Sequence, residues 1–169
     1  MNSFLIKKKI NSFLEAKKNT RAFTLVEILV VLASVTILVS ISFVSYDQFN
    51  KNEALEKDAV RVIALYEEAR ALSLGSNNGS VYGVHAETTK VVRFKGEIYT
   101  AGDSDNIQEF LSNYATISSI SLSGGGSDVV FSRLGGTTTK SGTITLSLKS
   151  VPAQTKVISI YLSGVVDIN

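Results

Sequence analysis

Residues 23–44 form an unbroken apolar run of 22 residues in which the only charged side chain is the Glu27 carboxylate. As a helix this run extends about 33 Å, enough to cross a bilayer. A carboxylate inside such a segment costs about 2.5–3.5 kcal/mol on insertion scales. A chain that keeps Glu27 there is expected to supply a partner for it.

The residues before the run are basic. Residues 1–22 carry Lys7, Lys8, Lys9, Lys17, Lys18 and Arg21 against Glu15, for +5, whereas the remainder has 11 Lys and Arg against 14 Asp and Glu, for −3. The overall pI near 8.8 therefore belongs to the leader and is no signal for nucleic acid. Positive charge on the N-terminal side places that side in the cytoplasm and the rest outside. No small-residue signal-peptidase site follows the run, so it does not read as an ordinary secretory signal. The chain has no cysteine, and the outer part must rest on a hydrophobic core instead of disulfides.

Helical periodicity continues past residue 44. Leu55, Ala59, Val62, Tyr66 and Ala69 recur at spacings of four and three, with Val60 and Ile63 widening the stripe. Glu53 and Lys57 form an i,i+4 pair on the wet side. One helix is predicted from 23 to about 74, apolar all round in its first half and amphipathic over 45–74. Gly75-Ser76-Asn77-Asn78-Gly79 ends it. Thereafter the period becomes two, and strands are predicted over 81–84, 91–94, 117–122, 129–131, 144–148 and 157–162. The stretch 107–114 reads as a short helix with Asp105 as N-cap and Gln108 three residues on. The expected fold is α+β: a long N-terminal helix followed by a β-rich head, 75–169, whose antiparallel sheet packs on the amphipathic half of the helix.

The basic leader, a small residue and then Phe23-Thr24-Leu25-Val26-Glu27 before an apolar helix closely resemble the signature of type IV pilins and type II secretion pseudopilins. The resemblance implies cleavage between Ala22 and Phe23 by a membrane prepilin peptidase, with N-methylation of Phe23. Most members carry glycine before the cut, where this chain has Ala22. It also implies a cleaved leader at 1–22, a transmembrane and filament-core helix at 23–44, and a pilin-like spine helix with a β head. Glu68-Ala69-Arg70, Val81-Tyr82-Gly83-Val84, Ile144-Thr145-Leu146-Ser147 and the stretch 158–165 resemble the minor pseudopilin H and FimT-type head. Many major pilins carry proline near the end of the apolar run, where this chain has Val44; that agrees better with a minor subunit and a straighter helix.

The implied role is a non-enzymatic structural subunit of a pilus or secretion pseudopilus, anchored once in the bacterial inner membrane and then drawn into an extracytoplasmic filament. Its implied partners are the peptidase, other pilins or pseudopilins, and the inner-membrane assembly platform. Cleavage would leave a positive amine on Phe23, four residues before Glu27. At about 4 Å and an effective dielectric of 20, opposite charges attract by about 4 kcal/mol, comparable with the cost of burying the carboxylate. Glu27 is expected to pair with the Phe23 amine of a neighbour and so set axial register. It can instead pair with its own amine, or favour the positive end of its own helix. Thr24 is either a helper at the helix start or a tolerated polar residue. Tyr46 and Phe49 read as interface anchors or inter-subunit contacts.

Other chemistries have little footing. One histidine, His85, and no cysteine leave no His/Cys zinc site and no cysteine nucleophile; His85 reads as a surface or packed strand residue. In Asp103-Ser104-Asp105-Asn106 the fifth position of an EF-type loop is Ile107 and no glycine follows, so the segment reads as a capping turn. Gly124-Gly125-Gly126 lacks the Lys-Ser/Thr of a phosphate-binding loop. No cofactor or metal is expected. The alternative functions are a DNA-binding minor pilin, for which Arg93, Lys95, Arg133, Lys140, Lys149 and Lys156 are the available cations, and an unprocessed single-pass anchored β-domain.

Overall fold

The structure is a computed structural model, and it describes residues 23–169; side chains 41–45 also lie outside the described set. The chain divides into two units, Met1–Val44 and Ser45–Asn169. Helix α1 runs Leu25–Leu74. No glycine or proline interrupts those 50 residues, so nothing in the sequence breaks the i→i−4 ladder.

In the second unit the fold is α+β and every strand pairing is antiparallel. Strands β1 (Tyr82–Ala86), β2 (Lys90–Lys95), β3 (Ile107–Phe110) and β5 (Asp128–Phe131) form one four-stranded sheet in the order β3-β2-β1-β5. Strands β4 (Ala115–Leu122), β6 (Gly142–Leu148), β7 (Thr155–Ile160) and β8 (Val166–Ile168) form a second, in the order β4-β6-β7-β8. The period-two runs thus divide between two sheets instead of building the single sheet expected. The short β8 had no strong signal of its own.

One core joins the helix to both sheets. Leu55, Ala59, Val62, Tyr66 and Ala69, the expected face, are buried together with Leu65. They pack with Val84, Val91, Val129 and Phe131 of the first sheet and with Ile117, Ile144, Leu146, Leu148, Ile158 and Ile160 of the second. Val60 is exposed and Ile63 only partly buried, so the stripe is narrower than expected. The Glu53–Lys57 pair forms at 2.8 Å. Two polar residues sit on the buried face where a hydrophobicity pattern does not look for them. The Asp58 carboxylate accepts the Ser112 N–H at 2.9 Å. Ser73 Oγ accepts the Tyr82 N–H at 2.9 Å, which fixes the start of β1 against the last turn of the helix.

The expected helix over 107–114 is not formed. Ile107–Phe110 is the edge strand β3, with Lys90 opposite Phe110 and Arg93 opposite Ile107. Asp103 Oδ1 accepts the Asp105 N–H at 2.9 Å, so the acidic segment makes an Asx turn into a strand and caps no helix. Ladder pairing with β2 outweighs the local helical signal of a segment this short.

Tyr66 has the least compensated polar atom in this core. Its ring is fully buried and its hydroxyl has no hydrogen-bond partner. Burial, with Asp128 adding to it, pushes the phenol well above its ordinary range. Tyr66→Phe is therefore expected to stabilise the fold by about 1 kcal/mol in chemical denaturation, since an uncompensated buried hydroxyl is removed. The pH dependence follows from the sign of the shift. Below about pH 10 both the folded and unfolded forms keep the phenol proton. Above it the unfolded chain releases the proton and the folded one does not, so stability falls by about 1.4 kcal/mol per pH unit. That alkaline loss should be missing from the Tyr66→Phe variant when the two are compared between about pH 9.5 and 11.

Candidate assembly segment at the helix N-terminus

Helix α1 opens on Thr24. Its Oγ1 accepts the Glu27 N–H at 3.1 Å, and its carbonyl accepts the Ile28 N–H at 3.2 Å. Thr24 is thus the N-cap and Glu27 occupies the third helical position, the spacing of a capping box. This settles the role of Thr24 that the sequence leaves open, and it puts the Glu27 carboxylate in the first turn, where the helix dipole favours negative charge. Ala22 and the leader 1–22 lie outside the described residues, so the cleavage site does too. Phe23 is described, and it is 75 % exposed.

Beyond the first turn the described side chains, three hydroxyl groups aside, are apolar or small and solvent-accessible on every side. Leu25, Val26, Ile28, Leu29, Val30, Val31, Leu32, Val35, Ile37, Leu38 and Val39 are all exposed. An all-round apolar helix needs another apolar surrounding, whether lipid or other helices. Its three described hydroxyls do not compromise that surface. Ser34 Oγ donates to the Val30 carbonyl, Thr36 Oγ1 to the Leu32 carbonyl and Ser40 Oγ to the Thr36 carbonyl, each at 2.8 Å. Each hydroxyl is satisfied within the helix itself. Among the described residues no helix is long and apolar enough to cross a membrane; the described side chains of this half stop at Ser40, and the span over 23–44 is a reading of the sequence. Tyr46 and Phe49 are exposed.

The head does not gather a second constellation from the residues singled out in the sequence. His85 is held on the outer face of the first sheet. Its Nδ1 meets the Asp128 carboxylate, Ser127 Oγ lies 3.3 Å from the same nitrogen, and Glu87 lies 3.8 Å from Nε2. The ring stacks on Tyr99 with centroids 4.0 Å apart. Serine and aspartate thus converge on one nitrogen, which is not the arrangement of a nucleophile relay, where each takes a different one. The cations are largely engaged: Arg93 with Glu68, Lys95 with Asp105 at 3.3 Å, and Lys156 with Glu56. Lys140 Nζ donates to the Gly125 carbonyl at 2.9 Å and Arg133 to the Gly79 carbonyl at 3.0 Å. The triple glycine is a turn with all three residues at positive φ. Compared with protein-family models, with curated proteins and with solved structures, the chain finds no match.

Proposed function

We propose that this chain is a structural subunit, of the minor kind, of a type IV pilus or type II secretion pseudopilus. It has no catalytic role. A prepilin peptidase cuts between Ala22 and Phe23 and methylates the new amine. The subunit waits in the inner membrane with its head outside, and the assembly platform then draws it into a helical filament with other pilins or pseudopilins. The observation that carries this reading is the start of α1: a Phe-Thr-Leu-Val-Glu opening in which Thr24 caps the helix, Glu27 sits in the first turn, and an apolar surface exposed on all sides follows.

In this reading Glu27 pairs with the Phe23 amine of the adjacent subunit. The attraction of about 4 kcal/mol at about 4 Å offsets the cost of the carboxylate only where that amine is present. Register is set because the pair forms at one axial offset. The pilin-like relation of spine helix to β head belongs to the same proposal.

Intact mass and N-terminal sequencing of the protein recovered from cell membranes test the processing. A chain beginning with N-methyl-Phe23, 147 residues long by the sequence, is the expected result. A chain still beginning at Met1 in peptidase-positive cells would transfer the case to an unprocessed anchored β-domain.

A further inference from the structure

The C-terminal end of α1 carries an apolar face that the head itself does not cover. Leu74, Leu134, Leu162 and Val165 are all exposed there. Backbone contacts bring them together from three parts of the chain. The Leu134 N–H donates to the Ser73 carbonyl at 3.0 Å, the Thr138 N–H to the Leu162 carbonyl at 3.0 Å, and the Tyr161 N–H to the Val165 carbonyl at 3.0 Å. Arg70 joins the pieces, donating from Nε to the Gly136 carbonyl at 3.1 Å and from Nη2 to the Ser163 carbonyl at 3.5 Å.

Leu134 is the informative member. Its φ is +62°, in the left-handed region that a branched side chain rarely adopts. Two glycines follow it directly, yet the strained position is held by a leucine that is 67 % exposed. Its N–H is a second donor, beside the Ser76 N–H, to the Ser73 carbonyl in the helix's last turn, a task glycine performs without strain. Strain kept for an exposed apolar side chain points to a use for that side chain.

Charge selects the occupant. Arg70 bridges the segments that carry the patch and Arg133 directly precedes Leu134, and among the described residues both donate to backbone carbonyls and neither has a carboxylate partner. Two copies of this face would bring like charges together. Two cations fall short of the clusters of four to eight that hold a segment to anionic lipid. We propose that this face docks a different protein, one that inserts an apolar side chain flanked by carboxylates between Arg70 and Arg133. The proposal does not depend on the assembly role of the helix start.

The test uses the full chain in the cells that make it, with a photo-crosslinking amino acid in place of Leu162. The expected result is an adduct with another protein whose crosslinked peptide, mapped by mass spectrometry, is apolar with adjacent Asp or Glu. Leu134→Gly should lower the adduct yield about tenfold or more, as should Arg133→Glu, with subunit abundance unchanged. Leu134→Gly should also hold or raise the Tm of the purified protein, because strain is released. The proposal is overturned by no adduct, by an adduct to lipid, nucleic acid or a second copy of this chain, or by a crosslinked peptide without carboxylates. Yields indifferent to both substitutions, or a Tm that falls by more than about 4 °C in Leu134→Gly, marking it as a packing residue, would overturn it equally.

Discussion

In the proposed assembly role, Glu27→Gln should leave the subunit in the membrane and remove it from filaments. Glutamine serves the third position of a capping box as well as glutamate does, so the helix start formed by Thr24 persists. Neutrality also makes insertion easier, because the cost of about 2.5–3.5 kcal/mol for a carboxylate is reduced. What disappears is the attraction to a neighbour's amine. At about 4 kcal/mol its loss weakens subunit addition by roughly a thousandfold. The measurement compares the amount of subunit in membranes with the amount in sheared filaments. Glu27→Ala should give the same failure but also changes the size and shape of the side chain, so glutamine is the cleaner variant. If Glu27→Gln enters filaments as well as the native chain, the carboxylate serves only its own helix, and the register mechanism is wrong.

Gly164→Ala should be strongly damaging to the head. Gly164 has φ +79°, and a β-carbon placed on it would lie 1.9 Å from the Gly136 carbonyl oxygen and 3.0 Å from Arg70 Nε. The β7–β8 turn and the loop after β5 would have to separate, and the Arg70 hydrogen bonds would go with them. Left-handed strain plus this clash should cost about 3–4 kcal/mol, a fall of about 10–15 °C in Tm for a domain of this size. Gly102→Ala is the control. It has a similar φ of +80° but nothing within 4 Å of the added carbon, so about 1 kcal/mol of conformational cost is expected. Equal Tm values for the two variants would show that the Gly136–Gly164 approach is not a structural constraint.

What could be read from residues alone followed from local rules. The helix and its buried face were legible because spacings of three and four repeat without a proline or glycine. Six strands were legible because β-branched residues alternate between turn signals. Most of the failures involve partners that local spacing does not reveal. Residues 107–110 look helical until β2 offers them a ladder. The division into two sheets is decided by which strands meet, and spacing does not carry that. Asp58 and Ser73 look like wet residues, and their burial rests on backbone N–H groups 54 and 9 residues away. At the helix start, Glu27 stood out as a charge among apolar neighbours. Thr24 gave no such contrast, although the Thr-x-x-Glu spacing was there to be used. The face around Leu134 had no sequence signal, because only the fold shows a leucine at positive φ beside residues from the last hairpin.

The three inward-turned hydroxyls of the apolar helix bear on how a subunit changes surroundings. Ser34, Thr36 and Ser40 carry their hydrogen-bond partners with them. Moving that stretch from lipid to a protein-lined interior, or back, breaks none of these bonds. For the described polar side chains of the run, Glu27 is then left as the group whose solvation differs between the two phases. In the proposed assembly role, extraction would then be reversible except where a waiting amine is met, so a single ionic contact would give the traffic its direction.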